Sequence, residues 1–516
     1  MLDKLSFTFD DLGAREMKNI ARPIEVYRVA LGSNLAGGPT KPALRPRPLA
    51  HEPPSIAVLP FVNMSHEADE YFADGLAEEL LNVLSKIRGL RVAARSSAFT
   101  FKGKGATVAE VGRALNVATV LEGSVRKAGN RLRISVQLVK VADGYHLWSE
   151  RYDRTLEDIF AVQDDIAQSV VKELRATLLG EAVDAQAASA LTAQVAAAVK
   201  GRATDPEAHR LFLQARYFLD RRNRDDTTKA IGYVQQALER DPAFALAWTE
   251  LSRAYTLEAD MGWGPVVEGY ARGREAVARA LALEPDLAEG HGQLGWIQMI
   301  HDWDWRGAEA SFTRALALAP RDAGVLRVAG TLARCLGRVD EALGLYRRAI
   351  EQDPLSSASY QNLGYVLAAN GDLMGAEQAH RKAFDLVPQR TLSRAYLALN
   401  LLAQGRGEEA LAEASCEPEE WARLRGSAII EHATGDLAAA DAALRELIAK
   451  YAESSAVQIA EVYAAHGETD LAFAWLDRAY VQRDGGLPVM KLELSFRRLH
   501  ADPRWGAFLR KMGLPE

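Results

Sequence analysis

The chain changes its hydrophobic period as it runs. Residues 55–61, SIAVLPF, are a short continuous apolar run, which predicts a buried strand, whereas 69–87, DEYFADGLAEELLNVLSKI, return their apolar residues at helical spacing. LRVAARSS at 90–97 predicts a second strand and TVAEVGRAL at 107–115 a second helix. Two more strands flank the turn Ala128-Gly129-Asn130. In RLRISVQL the apolar Leu132, Ile134, Val136 and Leu138 alternate with polar residues, so one face of that hairpin is buried. A last helix of this part starts after the turn Leu156-Glu157-Asp158. Ahead of it lie two β-like runs, 5–9 and 24–29, and a stretch, 31–54, whose prolines and glycines leave little regular structure. From residue 204 onward the spacing is helical and rich in Ala and Leu. The predicted organisation is a leading segment 1–30, a linker 31–54, an α/β domain 55–179, a helical connector 180–203 and an all-helical part 204–516.

That last part repeats. Helices end on ALERDP, ALALEP, ALALAP, AIEQDP and AFDLVP, with prolines at 242, 285, 320, 354 and 388, so the steps are 43, 35, 34 and 34 residues. A 34-residue period resembles tetratricopeptide repeats, in which each helix pair buries its apolar face only by stacking on its neighbours. Gly330 and Gly364 fall at the close-packed site of their first helices, and Ala342, Tyr346, Ala349, Ala376 and Ala383 along the second ones. The longer step carries an extra EADMGWGPV in a turn, and beyond Pro388 three degenerate units follow the five clear ones. FRRLHADPRWGAFLRKMGL then predicts a polar-faced cap over the last unit. The fold class is thus an α/β domain followed by an all-α tetratricopeptide (TPR) solenoid.

Two further resemblances rest on wording. Asp11-Leu12-Gly13, Met17-Lys18-Asn19-Ile20 and residues 23–29, PIEVYRV, resemble the carboxyl-terminal tail of class III adenylate/guanylate cyclase catalytic domains. The plainer alternative is an N-terminal hairpin docked on the next domain. From 56 to 167, IAVLPFVNMS, YFADGLAEELLNVLSKI, RVAARSSAFTFKGK, LNVATVLEGSVRKAGNRLRISVQLV and GYHLWSERYDRTLEDIFAVQDDIA together resemble the TolB-N-terminal-like domain that follows bacterial class III cyclase domains. The resemblance implies membership of the adenylate cyclase signalling family. In that family the metal-holding aspartates, base-recognition residues and transition-state arginine precede the tail phrase, and only residues 1–10 precede it here. No catalytic, cofactor-binding or metal-binding residue carries over, and Lys18 and Asn19 receive no role. Either the start lies further upstream, or the protein is a regulator without a catalytic half.

Composition narrows the rest. With 62 Lys+Arg against 69 Asp+Glu, a net charge of −7 argues against a protein whose main task is coating nucleic acid or an anionic membrane, and leaves a local basic groove open. Cys335 and Cys416 are too few and too far apart for a disulfide framework or a cysteine-built zinc site, and fit a reducing compartment. There is no signal-peptide pattern and no run of the ~18–20 apolar residues that a spanning helix requires, so the expected location is the cytoplasm. Lys102-Gly103-Lys104-Gly105 completes no phosphate-loop pattern and reads as a solvated basic turn. Arg126, Lys127, Arg131 and Arg133 read as an exposed strand face, His66 with Glu67, Asp69 and Glu70 as an acidic helix start, and residues 301–305, HDWDW, as packing between repeat helices.

The solenoid therefore carries the functional expectation. Counting back from the anchor prolines puts Arg253, Trp296, Arg327, Arg334, Gln361 and Tyr365 on the concave side, where arginines offer forks to carboxylates and aromatics supply stiff contact area. These six are the candidate groove for a protein or peptide partner, with self-association left open and no cofactor expected. Cys335 has no activating base in view and reads as a small buried residue. The rival classes are an adenylate cyclase whose catalytic half lies upstream and a transcriptional regulator, the latter without a helix-turn-helix pattern before Pro54.

Overall fold

A computed structural model describes residues 54–65, 70–87, 89–155, 158–179, 203–219, 223–388 and 390–516, the single positions 193, 195, 201 and 221, and the backbone of two leading strands. Most of the expected linker and connector, and His66 with its acidic neighbours to 69, lie outside the described residues. The leading strands, β1 (Phe7–Arg15) and β2 (Ile24–Leu31), pair antiparallel from Phe7↔Leu31 to Arg15↔Ile24, with a bulge between Asp11 and Ala14. They belong to a unit of their own, 1–52, and the remainder, 53–516, is one compact unit.

That second unit opens on a mixed sheet. Its strands are β3 (Ser55–Val58), β4 (Val62–Asn63), β5 (Arg91–Val92), β6 (Thr119–Ala128), β7 (Arg131–Lys140) and β8 (His146–Thr155), in the order β5-β3-β6-β7-β8 with β4 beside β6. β5, β3 and β6 run parallel, while β6, β7 and β8 form an antiparallel meander. Strand alternation sorts the faces: Ile56 and Val58 join a core with α1 (Glu70–Ser85), and Ala57 turns to the other side. The other side is covered by α2 (Arg95–Ala98) and α3 (Val108–Leu115), the latter held at its start by a capping box between Thr107 and Glu110. α4 (Ile159–Leu179) packs beside α1. Leu132, Ile134, Val136 and Leu138 are all buried, as their alternation requires.

Two differences from the sequence reading stand out here. The expected strand 90–97 is a strand only at 91–92, and Ser96 and Ser97 lie in a helical turn. A strand would send consecutive side chains to opposite faces, whereas this turn brings both hydroxyls to one acceptor, Asp353. β8 is the second difference. Tyr152 is its only fully buried residue, so its apolar alternation is too weak to announce a strand.

Eight helix pairs follow. They are α5 and α6 (Pro206–Leu219, Arg224–Arg240), α7 and α8 (Ala245–Asp260, Val266–Leu283), α9 and α10 (Ala288–Ile297, Trp305–Leu318), α11 and α12 (Ala323–Cys335, Val339–Gln352), α13 and α14 (Ser357–Ala369, Leu373–Leu386), α15 and α16 (Ser393–Ala403, Gly407–Ser415), α17 and α18 (Glu420–Thr434, Leu437–Tyr451), and α19 and α20 (Ala456–His466, Thr469–Gln482). The close-packed sites are as spaced. A Cβ on Gly330 would lie 2.8 Å from the Tyr346 ring, and one on Gly364 would lie 2.7 Å from the His380 ring. Ala342, Tyr346, Ala349, Ala376 and Ala383 are fully buried.

The chain then returns along its own array. Two 3₁₀ segments, Leu487–Leu492 and Leu494–Ala501, and α21 (Pro503–Lys511) pack on the last pair and also reach much earlier helices. Trp305 Nε1 donates to the Met512 carbonyl at 2.8 Å, Lys491 Nζ to that of Leu336 at 3.2 Å, and Arg497 to those of Ala368 and Ala369 at 3.1 and 2.8 Å. Trp303, at the turn of the third pair, packs 5.3 Å from the Tyr480 ring of the eighth and lies under the Arg483 guanidinium. The expected polar cap over the last unit is instead a segment with an apolar side, on which Leu487, Met490, Phe496, Leu499, Trp505 and Phe508 are buried. It spans from the third pair to the eighth.

Candidate functional site: the inner side of the helix array

The C-terminal segment identifies the shared side of the first helices, because it meets α13, α17 and α19 and the end of α11. Of the six expected residues, Arg253 on α7 is exposed and its guanidinium pairs with Glu250 one turn earlier, at 2.8 Å. Trp296 on α9 is half-buried against the cluster that contains Trp305 and Phe312, and Arg327 on α11 is half-buried. The other three lie deeper. Arg334 is 7% exposed, Gln361 7% and Tyr365 6%. Gln361 donates to the Thr391 carbonyl at 3.2 Å and accepts from Arg390 Nε at 2.5 Å. Tyr365 donates to the Val489 carbonyl at 3.3 Å, and the Arg334 guanidinium stands 4.3 Å over its ring. Arg334 and Tyr365 are thus brought together.

Around this pair the array gathers residues that the spacing did not single out. Tyr396 on α15 meets Tyr365 edge to face at 5.3 Å, and the His380 ring stacks 6.0 Å away on it. Arg425 on α17 is enclosed; its guanidinium donates to Glu461 at 2.8 Å and lies 4.0 Å from Glu493 of the returning segment. For Tyr396 and Arg425 the signal in the sequence is faint, since no anchor proline numbers the helices beyond Pro388 and the register of inner positions cannot be carried forward. Burial shapes the titration of the cluster. It pushes the Tyr365 phenol well above its ordinary value and the His380 imidazole down to about 4. Cys335, fully buried, has its thiol pushed up to about 12, which leaves it a packing residue rather than a nucleophile.

A second contact zone joins the α/β domain to the array. Glu78 on α1 is buried between Arg95, at 2.9 Å, and Arg216 of α5. Ser96 and Ser97 both donate to Asp353, just after α12, and the Leu355 amide donates back to Ser97 Oγ at 2.8 Å. Leu355 itself packs against the domain's second apolar cluster, beside Ala98 and Val111. Elsewhere the plainer readings hold. Lys102 folds onto α1, 2.5 Å from Asp74 and 2.7 Å from Glu70, and Arg133 pairs across strands with Asp153 at 2.6 Å. Trp303 and Trp305 are spent on packing. Among the described residues, no group of three or more His, Cys, Asp or Glu side chains could hold a metal ion, and no helix is long and apolar enough to cross a membrane.

Comparison with known proteins follows the same division. Residues 304–357 and 345–378 each match the tetratricopeptide repeat family. Residues 52–169, whose wording led to a TolB-N-terminal-like domain, match the second domain of HilA/YgeH-like transcriptional regulators. A Rhizobium meliloti (strain 1021) protein, provisionally named adenylate cyclase 3, is 41% identical over 245 residues, covering 47% of this chain and 40% of that protein. The chain therefore spans less than half the length of the curated relative it matches. Among solved structures, Pseudomonas aeruginosa PilF is similar at 20% identity and a TM-score of 0.35, over 44% of this chain and 99% of that one. The type IV pilus biogenesis factor PilW is similar at 18% identity and a TM-score of 0.32, over 49% and 96%. The helical part of this chain is a solenoid of tetratricopeptide type, preceded by a small mixed sheet.

Proposed function

We propose that the chain is a non-catalytic scaffold of adenylate cyclase signalling, working in the cytoplasm by holding a protein or peptide partner on its TPR array. The observation that carries the reading is the array itself, eight stacked pairs whose first helices share one side, because such a surface is built for extended partners. The 41% identity to the Rhizobium protein supports the link to cyclases, as does the wording at residues 11–29. On this reading Arg253, Trp296 and Arg327 meet the partner first. Arg334, Gln361 and Tyr365 are reached only if residues 487–516 move aside.

The test has two arms. Incubated with ATP and Mn²⁺, the purified chain forms no cyclic AMP; steady turnover would assign it the enzyme reading instead. Added in trans to the cyclase portion of the Rhizobium relative, the chain changes the rate of cyclic AMP formation at least about threefold, a coupling of roughly 0.7 kcal/mol. An unchanged rate at saturating chain removes the cyclase link. A second reading, a regulator of transcription, draws on the match of residues 52–169. Retention of duplex DNA by the chain at physiological salt would favour it, and the net charge of −7 weighs against it.

A further inference from the structure

A guanidinium taken out of water needs an anion or a full set of acceptors, since an uncompensated buried charge costs far more than a neutral side chain. Arg334 has neither. It is 7% exposed, its Nε is enclosed with no hydrogen-bond acceptor, and among the described residues it makes no hydrogen bond and no ion pair; its one polar contact is the Tyr365 ring face. The carboxylates nearby are committed elsewhere. Glu461 is bound to Arg425, and Glu493 lies between Arg425 and the Tyr365 phenol.

Further donors near Arg334 are also unused. Arg425 keeps Nε and Nη2 enclosed and without acceptors, and its guanidinium lies 5.9 Å from the Tyr396 ring, which meets Tyr365 edge to face. Two guanidinium groups thus flank a pair of tyrosines, on a side roofed by the C-terminal segment through Val489 and Glu493.

We propose that Arg334, with Tyr365, Tyr396 and Arg425, forms a site for a small ligand bearing an oxyanion, either a carboxylate or a phosphate, held inside the array beneath residues 487–516. The planar fork of arginine suits either group. Occupancy stabilises the folded chain by mass action and tightens the segment that covers the site. The site does not depend on the scaffold reading, and nothing in its test measures cyclic AMP.

The experiment is thermal unfolding and titration calorimetry of the full chain with inorganic phosphate and, separately, succinate, against chloride at equal ionic strength. One or both probes raise Tm by about 2–4 °C at millimolar concentration and give a saturable heat. A response to phosphate alone assigns a phosphorylated ligand, and one to succinate alone a carboxylic acid. Arg334→Met removes the response and, without added anion, unfolds no lower than the wild type; Arg334→Lys retains a response weakened about tenfold in affinity. The proposal is overturned if neither probe acts on the wild type, if R334M responds as the wild type does, or if R334M is less stable than the wild type in chloride, which would make the guanidinium a structural group.

Discussion

The array is covered in two places by other parts of the same chain, and the two covers are made of different chemistry. Where the α/β domain meets it, the contacts are directional: Glu78 between Arg95 and Arg216, and Ser96 and Ser97 on Asp353. Where residues 487–516 lie on it, a row of buried apolar and aromatic side chains does most of the covering. Charges and hydroxyls fix register and orientation for modest net stability, because desolvation offsets much of their attraction. Apolar burial contributes stability without specifying orientation so sharply. The C-terminal segment is therefore expected to hold the array together, and the α/β junction to set how the domain sits on it.

The comparison can be broken or sharpened by substitution. Phe496→Ala, at a fully buried position of the returning segment, is expected to cost about 3–5 kcal/mol in denaturant unfolding, and a loss below about 1 kcal/mol would show that the segment is not what holds the array. His380, enclosed against Gly364 and stacked on Tyr396, makes stability sensitive to acid. Its folded pKa lies below its ordinary value, so its contribution is complete above pH 6.5 and is lost as pH falls toward about 4. The expected loss is about 3 kcal/mol over that window, and His380→Phe, which keeps the ring stacked on Tyr396, removes that part of the slope.

At the junction the effects are smaller. Glu78→Gln leaves Arg95 and Arg216 without their shared carboxylate. Because those side chains are 30% and 21% exposed, the expected cost is about 2–3 kcal/mol, below that of a fully buried pair. Ser97→Ala removes one donor to Asp353 and the acceptor of the Leu355 amide, for about 1–2 kcal/mol. If either junction change exceeded the loss from Phe496→Ala, the assignment of roles to the two covers would be reversed.

What the sequence discloses follows the range of each interaction. Helix pairs were legible because proline stops and small residues act within one unit, so Gly330 and Gly364 on the first helices and Ala342, Tyr346, Ala349, Ala376 and Ala383 on the second could be placed from spacing alone. The hairpin of β6 and β7 was legible for the same reason. Where the array closes, the information is of another kind. Leu487, Phe496 and Trp505 announce that they are buried, but not that their partners lie up to 207 residues earlier, as for Trp305 and Met512. The depth of the candidate groove is set by these distant contacts. Counting from prolines locates Arg334, Gln361 and Tyr365 on the first helices, and nothing local says that the end of the chain lies over them. Ser96 and Ser97 teach the same lesson, since their strand-like surroundings yield to an acceptor far along the chain.

The seating of Leu355 in the α/β domain's second apolar cluster also has a consequence in time. Ser97 and Asp353 are separated by 256 residues, and at a ribosomal rate of ~5–20 residues per second that interval lasts roughly 13–50 s. Throughout it the newborn domain stands with Ala98 and Val111 short of their last apolar neighbour. A domain made well ahead of the array is thus completed only when the fourth helix pair has been made.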